Sequence, residues 1–399
     1  MRVDKLTAQE WIDLQKAQSI SFAMPVDLEA LQKKVDESAD QEKYQKCWGA
    51  FDGDGRLISG LVNWPYQAYY DGHIVGMGGI GGVVTLPERR MHGNVKSILR
   101  QVFIEMRRNG DLFSVLFPFS QRFYRQFGYE VCHEGRTYQF PTKELSCFRQ
   151  TGTARMHSPG EPDDVFRTIY QQFACRYNYA VARNDIAWER MLKGDPYKDQ
   201  VYRYVLSRDD RDVSYCMITP IKTGDMQNDM HVFDFAYTDS EALFDLLGFL
   251  YRLWPQFENV RIEPPSDLAL GALIEEPNEL SLSGLNHSMA RVIDVTKALS
   301  LKRHPAGEGS YSIAVKDDFI PENSGVYEVH FKAHVSEVIK HPEDQRCDLS
   351  VSVQTFAQLC VGYLSLRMSL LKPDVRLFGN RETLECVFTE KPRFFTDRF

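Results

Sequence analysis

Closely spaced cysteines are missing from this chain. Its eight cysteines, Cys47, Cys132, Cys147, Cys175, Cys216, Cys347, Cys360 and Cys386, form no Cys-x-x-Cys pair, and no cysteine–histidine run has zinc-ligand spacing. No metal site is expected, and the thiols read as reduced and mostly buried, as in a cytoplasmic protein. Long apolar runs are missing too. Nothing approaches the roughly 20 apolar residues of a membrane span, and the opening MRVDKLTAQEWIDLQKAQ is charged where a signal peptide is apolar. No membrane partner is expected. Basic residues are outnumbered, 47 against 55 acidic, for a net charge of −8. No nucleic-acid partner is expected without a basic face; the balance suits cationic partners or plain solubility. Disorder is excluded as the general state, because 43% of the residues are hydrophobic and 12% aromatic.

A chain of 399 residues carries two to four domains at roughly 100–200 residues each. Residues 4–46 read as helical and polar, with Trp11, Leu14, Ile20 and Leu28 as apolar anchors. CWGAFDGDGRLISGLVNWPYQAYYDG reads as two strands about a tight Asp-Gly turn, where glycine supplies positive φ. HIVGMGGIGGVVTLP follows as a glycine-rich strand. From Val95 to Asn109 the spacing is helical: Val95, Ile98, Leu99, Val102 and Met106 share a face, and Gly110 stops the run. LFSVLFPF (112–119) is a continuous apolar strand of the kind covered on both faces. Residues 74–119 thus spell strand, loop, helix, strand, which implies neighbouring strands joined by a crossover helix.

A weaker copy of this plan begins near Ser158. Residues 163–193 read as helical, a hairpin turns about Asp209-Asp210-Arg211, and HVFDFAYT leads to a helix from Ser240, its expected N-cap, to Trp254. Between that strand and helix stands YTDSEA, acidic and without glycine, so phosphate cradling is not expected there. From about His287 the pattern changes to a compact α+β unit. Linkers are expected near 141–160 and 265–288, where Pro, Gly and Ser cluster.

Pro87-Glu88-Arg89-Arg90-Met91-His92-Gly93-Asn94-Val95 joins a strand to a helix N-terminus, where main-chain N–H groups lack intrahelical partners and the dipole adds positive charge. Gly93 permits close approach and two arginines add charge, which suits a pyrophosphate. The loop is neither a Walker loop nor a dinucleotide turn. An ordinary basic turn ending in glycine is the competing reading.

The segment GGVVTLPERRMHGNVKSILRQVFIEMRRNGDLFSVLFPFSQRFYRQFGYE resembles the coenzyme-binding motif and next strand of the GNAT acetyltransferases. Their R/Q-x-x-G-x-G/A appears as Arg90-x-x-Gly93-x-Val95, with valine in place of the small last residue. The run through Val84, Pro87, Arg90 and Gly93, followed by FYRQFGYE, resembles more specifically the enhanced intracellular survival (Eis) family, as do the chain length and terminal Phe399. The resemblance implies an α+β fold: an N-terminal catalytic GNAT domain (1–145), a degenerate second GNAT-like domain (146–286) and a sterol carrier protein-like domain (287–399).

It further implies an acetyl-CoA-dependent N-acetyltransferase. Val83, Val84 and Thr85 would pair with the pantetheine arm, and Met91, His92, Gly93, Asn94, Val95 and Lys96 would surround the pyrophosphate, with Arg90 opening the loop. Phe119 and Ser120 would lie near the thiol. Without the resemblance, the valines and Phe119 read as core. Tyr124 falls at the proton-donor position, although the residues alone do not separate it from Tyr129. A phenol pKa near 10 keeps such a group protonated at neutral pH. The α-carboxylate of Phe399 would be the base, its docking favoured by Phe394 and Phe395. Acceptors would be primary amines (aminoglycosides, polyamines or lysine side chains) and the assembly a homohexamer. Asp27, Glu29 and Asp71 read as cleft acids or plain charged surface, while Arg398 beside the terminus runs against a polycationic acceptor. A tandem acyltransferase acting on peptides, and a non-catalytic ligand-binding protein, are the competing functions.

Overall fold

The computed structural model describes residues 1–37, 46–225 and 227–398, and only the backbone of 284–286. Twelve of the described strands form one continuous sheet. In chain order they are β1 Arg2–Lys5, β2 Cys47–Phe51, β3 Leu57–Tyr70, β4 His73–Thr85, β5 Asp111–Leu116, β6 Glu130–Pro141, β7 Thr153–Met156, β8 Tyr202–Arg208, β9 Arg211–Lys222, β10 Asn228–Tyr237, β11 Asn259–Ile262 and β12 Ser281–Val292. Their spatial order is β1-β2-β3-β4-β5-β12-β6-β11-β10-β9-β8-β7. Two strand–helix–strand units therefore lie side by side. The first is β4, α3 (Asn94–Asn109) and β5, and the second is β10, α7 (Ser240–Arg252) and β11; in each the two strands are parallel.

The expected hairpins form. Asp209 and Asp210 both take positive φ between β8 and β9, and at the first Asp-Gly turn it is Gly55 alone that does so (φ 78°). Helix α3 buries Ile98, Leu99, Val102, Phe103 and Met106, and ends at left-handed Gly110. The polar N-terminal segment starts not as helix but as β1, paired with β2; α1 (Ala8–Phe22) and α2 (Leu28–Asp36) follow. Nor is 163–193 one helix. It forms α5 (Asp164–Ala174) and α6 (Asp185–Met191), because the backbone between them is taken by the end of β3: Tyr69 N–H donates to the Ala180 carbonyl and Tyr179 N–H to that of Tyr69, each at 2.8 Å.

Residues 287–292 lie in β12, which fills the space between β5 and β6. Beyond it a five-stranded sheet is built from β13 Glu308–Lys316, β14 Gly325–Lys332, β15 Val335–His341, β16 Leu349–Ser352 and β17 Arg376–Leu377, in the order β15-β14-β13-β16-β17. Its core is continuous with one face of the large sheet, where Tyr66, Met77, Phe113 and Val115 meet Val353, Phe356 and Phe395. The overall class is α+β, as expected.

Residues 388–398 run over that face as a docked tail. Phe394 and Phe395 are both 2% exposed; Phe395 stacks on Tyr179 at 4.7 Å and meets Phe117 at 5.6 Å, while Phe394 packs on Phe173 and Tyr177. A buried ionic clamp holds the tail's start. Asp71, at the β3–β4 turn, accepts from Lys391 Nζ, Asn178 Nδ2 and the Arg303 N–H, with Lys302 at 3.9 Å. Asp71 is thus neither a cleft acid nor surface. Burial opposes its charge, but Lys302 and Lys391 prevail and hold its carboxyl below the usual range. Burial, with the Lys302 ammonium nearby, pushes Lys391 down to about 8.

A carboxyl whose pKa is depressed on folding stabilises the fold above its unfolded value, about 4, and loses that contribution as pH falls through the folded value. Asp71→Asn leaves two buried ammonium groups without their carboxylate, a change costing about 3–5 kcal/mol. Urea midpoints measured from about pH 5 to about pH 3 are expected to show that gap from wild type narrowing below about pH 4.

Candidate active site

The central feature is a fault in the β4–β5 ladder. Parallel pairing runs from Gly76↔Asp111 to Ile80↔Leu116 and stops, yet β4 continues to Thr85 on its other partner, β3. Two sequence features cause the parting. After Leu116 the chain reads Phe117-Pro118, and proline has no N–H to extend the ladder. On β4 the register slips between Val62↔Gly81 and Gly60↔Val84, with Gly82 at φ 57°. The β5-facing edge of 81–85 therefore has no strand partner among the described residues. Such an edge needs one. Val84 is buried and Val83 and Thr85 half-buried; both valine side chains pack against core clusters, so the core reading holds for them.

The strand runs directly into the anion loop. Pro87–Arg89 makes one tight turn, Met91 has φ 65° and Gly93 φ 74°, and α3 starts at Asn94. A left-handed residue followed by a helical one is the backbone pair from which anion nests are built. The first bond of the helix is Ser97 N–H to the Gly93 carbonyl at 3.1 Å, which leaves the amides of Asn94, Val95 and Lys96 without intrahelical partners. The first turn holds no acidic residue and no side chain caps it. Asn94 turns its side chain inward, Nδ2 donating to the Arg89 carbonyl at 2.9 Å, and His92 Nδ1 lies 2.6 Å from the Arg90 carbonyl. The loop is thereby braced from inside while Met91 and Lys96 stand exposed. Of the two arginines, Arg89 is paired with Asp52 at 3.3 Å. Arg90 donates only to the Thr85 carbonyl at 3.4 Å and has no acidic partner among the described residues.

Past the fault, Ser120 caps α4 (Gln121–Arg125), its hydroxyl accepting from Phe123 N–H. Phe119 is 73% exposed, so the core reading fails for it; its ring meets Phe123 at 5.3 Å and Tyr124 at 5.5 Å. Tyr124 is 3% exposed, and its hydroxyl has no hydrogen-bond partner among the described residues. Burial raises its pKa well above the ordinary phenol. Tyr129 differs: it is fully buried and its hydroxyl is committed to Ser114 Oγ at 2.7 Å. The two tyrosines that sequence left even are thus distinct in their surroundings. Phe399, with its carboxylate, lies outside the described residues.

The second unit has no such loop. Asp239, not Ser240, caps α7; its carboxylate accepts from Ala242 N–H at 2.8 Å and pairs with Arg208, so a negative charge sits where the first unit offers bare amides. Asp27 is also a cap, on α2, with Glu29 in that helix's first turn. What sequence reasoning missed is a buried cluster at the tail's end. Arg183 donates to both oxygens of Asp234 and of Asp397, and its guanidinium lies 3.9 Å from the Tyr170 ring. Its members are scattered from 170 to 397, and no local spacing announces them.

The acetyltransferase (GNAT) domain family matches this chain twice, at residues 2–132 and, as a second variant, at 180–292; the sterol carrier protein domain family matches 295–396. No curated protein sequence matches it. Among solved structures, a GCN5-related N-acetyltransferase from Anabaena variabilis is similar over 100% of both chains at 20% identity, with a TM-score of 0.87. Eis1 from Mycobacterium abscessus is similar over 100% of both chains at 18% identity and TM-score 0.81. A GCN5-related N-acetyltransferase from Kribbella flavida covers 100% of this chain and 98% of its own at 17% and 0.81. At these identities the structural likeness is one of fold. With two matched acetyltransferase domains and the matched sterol carrier protein domain, the chain belongs to the GNAT acetyltransferases and has an Eis-like architecture.

Proposed function

We propose that the first unit transfers the acetyl group of acetyl-CoA directly to a primary amine, on an aminoglycoside, a polyamine or a lysine side chain. The observation that carries this reading is the unpartnered β4 edge leading without a break into the left-handed loop and the bare head of α3. Val83, Val84 and Thr85 pair with the pantetheine arm as an added strand would. The amides of Met91 to Lys96, with Arg90, neutralise the pyrophosphate, and Phe119 and Ser120 border the thiol end.

The bound thioester supplies the electrophilic carbonyl. The chain's residues manage the protons: the acceptor ammonium must lose one, the amine nitrogen bonds to the acetyl carbon, and the departing sulfur takes a proton as the carbon–sulfur bond breaks. Tyr124 donates that proton. In support, burial keeps its phenol protonated throughout the neutral range, and no internal bond competes for it as Ser114 does for Tyr129. The base is the α-carboxylate of Phe399. A free carboxylate near pKa 3.5 is weak; burial strengthens it and a relaying water completes the reach. Its support is the tail: Phe395 rests on Phe117, and four more residues extend at most about 14 Å. We further propose the three-domain division at 145/146 and 286/287, assembly as a homohexamer, and work in the cytoplasm, without nucleic-acid or membrane partners. No described helix is long and apolar enough to cross a membrane.

Thiol release from acetyl-CoA over a panel of amines tests the reading. Tyr124→Phe is expected to lower kcat on the order of 100-fold with acetyl-CoA affinity unchanged, and deletion of Phe399 to remove nearly all turnover while coenzyme A still binds. Full activity without Phe399 would exclude the terminal base.

Gly93 separates conformation from charge. A Cβ there meets nothing within 4 Å, so Gly93→Ala is expected to cost only the left-handed backbone penalty of about 1–2 kcal/mol. Gly93→Asp adds a negative charge at the nest, and calorimetry is expected to find its coenzyme A affinity at least about tenfold weaker than that of Gly93→Ala, a difference of about 1.4 kcal/mol.

A further inference from the structure

We propose, resting on the amine acetylation assigned above, that the acceptor is an anionic molecule: a cavity beside the tail takes a carboxylate or phosphate group carried about a nanometre from the reacting amine. The cavity, about 260 Å³, is walled by Tyr66 of β3, Arg190 and Lys193 near the end of α6, and Asp397 and Arg398 of the tail. Among the described lining residues, three cations face one acid. Both Asp397 oxygens accept from Arg183, at 2.8 and 3.2 Å, but Arg183 is shared with Asp234, so that cluster keeps one net negative charge against the three cations. None of Arg190, Lys193 and Arg398 has a carboxylate partner among the described residues. In a chain of net charge −8, three cations against that one net negative charge leave the described wall of the cavity positive, which concentrates anions.

One of the three is held in place. Arg190 Nη1 donates to the Tyr66 hydroxyl at 3.1 Å, and its guanidinium lies 4.5 Å from the Trp64 ring centroid. A stacked, hydrogen-bonded arginine loses little freedom on gripping a carboxylate or phosphate, and its planar fork suits both. Lys46 lies over the same indole at 3.8 Å.

Sheet register gives the reach. Tyr66 stands opposite Met77 on β4, and Met77 opposite Phe113 on β5. From Met77 to Gly81, where the unpartnered edge begins, is four residues, about 13 Å of strand. An acceptor anchored in the cavity by its anion therefore needs an extended spacer to bring its amine to the thioester. A lysine side chain followed by a short carboxylate- or phosphate-bearing peptide meets this requirement; a polyamine, which carries no anion, does not.

The probes are Nα-acetyl-Lys-Gly-Gly as the free acid, its carboxy-terminal amide, Nα-acetyl-Lys-Gly-phosphoserine amide, and spermidine. Each is titrated calorimetrically into the full chain with coenzyme A present, and assayed with acetyl-CoA, for wild type, Arg398→Glu and Lys193→Glu. Equal thermal midpoints establish that the variants fold. Wild type is expected to bind the acid at least tenfold more tightly than the amide, and each reversal to bring that ratio near one with coenzyme A affinity unchanged. The phosphoserine arm tells carboxylate from phosphate recognition. Equal affinity for acid and amide, a preference for spermidine, or a ratio indifferent to both reversals would overturn the anion site. Acetylation without that preference overturns the anion site alone; the preference without acetylation of any probe overturns the amine reading and leaves the site standing.

Discussion

A parallel strand pair that stops pairing halfway is the constraint on which the rest of this structure depends. Bare N–H and C=O groups on a strand edge are costly unless something completes them, and here β4 runs on past Ile80 with no described strand partner on its β5 side. Pro118 offers no N–H to extend the ladder and the slip at Gly81–Gly82 turns β4 aside. Everything the proposed chemistry uses is arranged about that gap. The bare end of α3 stands at its head, the Tyr124 ring packs against Phe119 just past it, and Phe395 of the tail lies on Phe117 at its foot.

The second unit shows what the same plan becomes without the anion loop. There β10 also outruns β11, pairing only through Val232↔Ile262 before continuing to Tyr237. Its helix, however, opens on Asp239 in place of glycine, and Asp234 on β10 is bound to Arg183 together with Asp397 of the tail. The unit has become a mooring. Removing either partner of such a buried cluster strands the other, so it holds the tail in one place more than it adds stability. Asp71 and Lys391 do the same at the tail's other end. Between the two moorings Phe395 is fixed between Tyr179 and Phe117, and Phe394 against Phe173 and Tyr177.

Legibility in the sequence followed locality. The α3 stripe, its glycine stop, the Asp-Asp hairpin and the absence of glycine before α7 are all short-range signals, and each is in the structure as read. The loop was legible because a helix start bare of acids and a glycine sit within a few residues of each other. Long-range pairing was not. Nothing in SLSGLNHSMARV says that it inserts between β5 and β6, and Asp71 looks like any Asp-Gly turn until Lys391 closes on it from 320 positions away. Even the choice of Asp239 over Ser240 as cap rests on one residue's dihedrals, where two good capping residues stand together. The two tyrosines could not be told apart because their difference lies in Ser114, on another strand.

Amide hydrogen exchange of the full chain with and without coenzyme A tests the central claim most directly, because it reads the main-chain donors themselves. The account predicts that saturating coenzyme A slows exchange on the β4 edge over 83–85 and at the head of α3 over 93–96, with the head of α7 unchanged. Unaltered exchange at both first-unit segments, or slowing confined to 237–243, would contradict it.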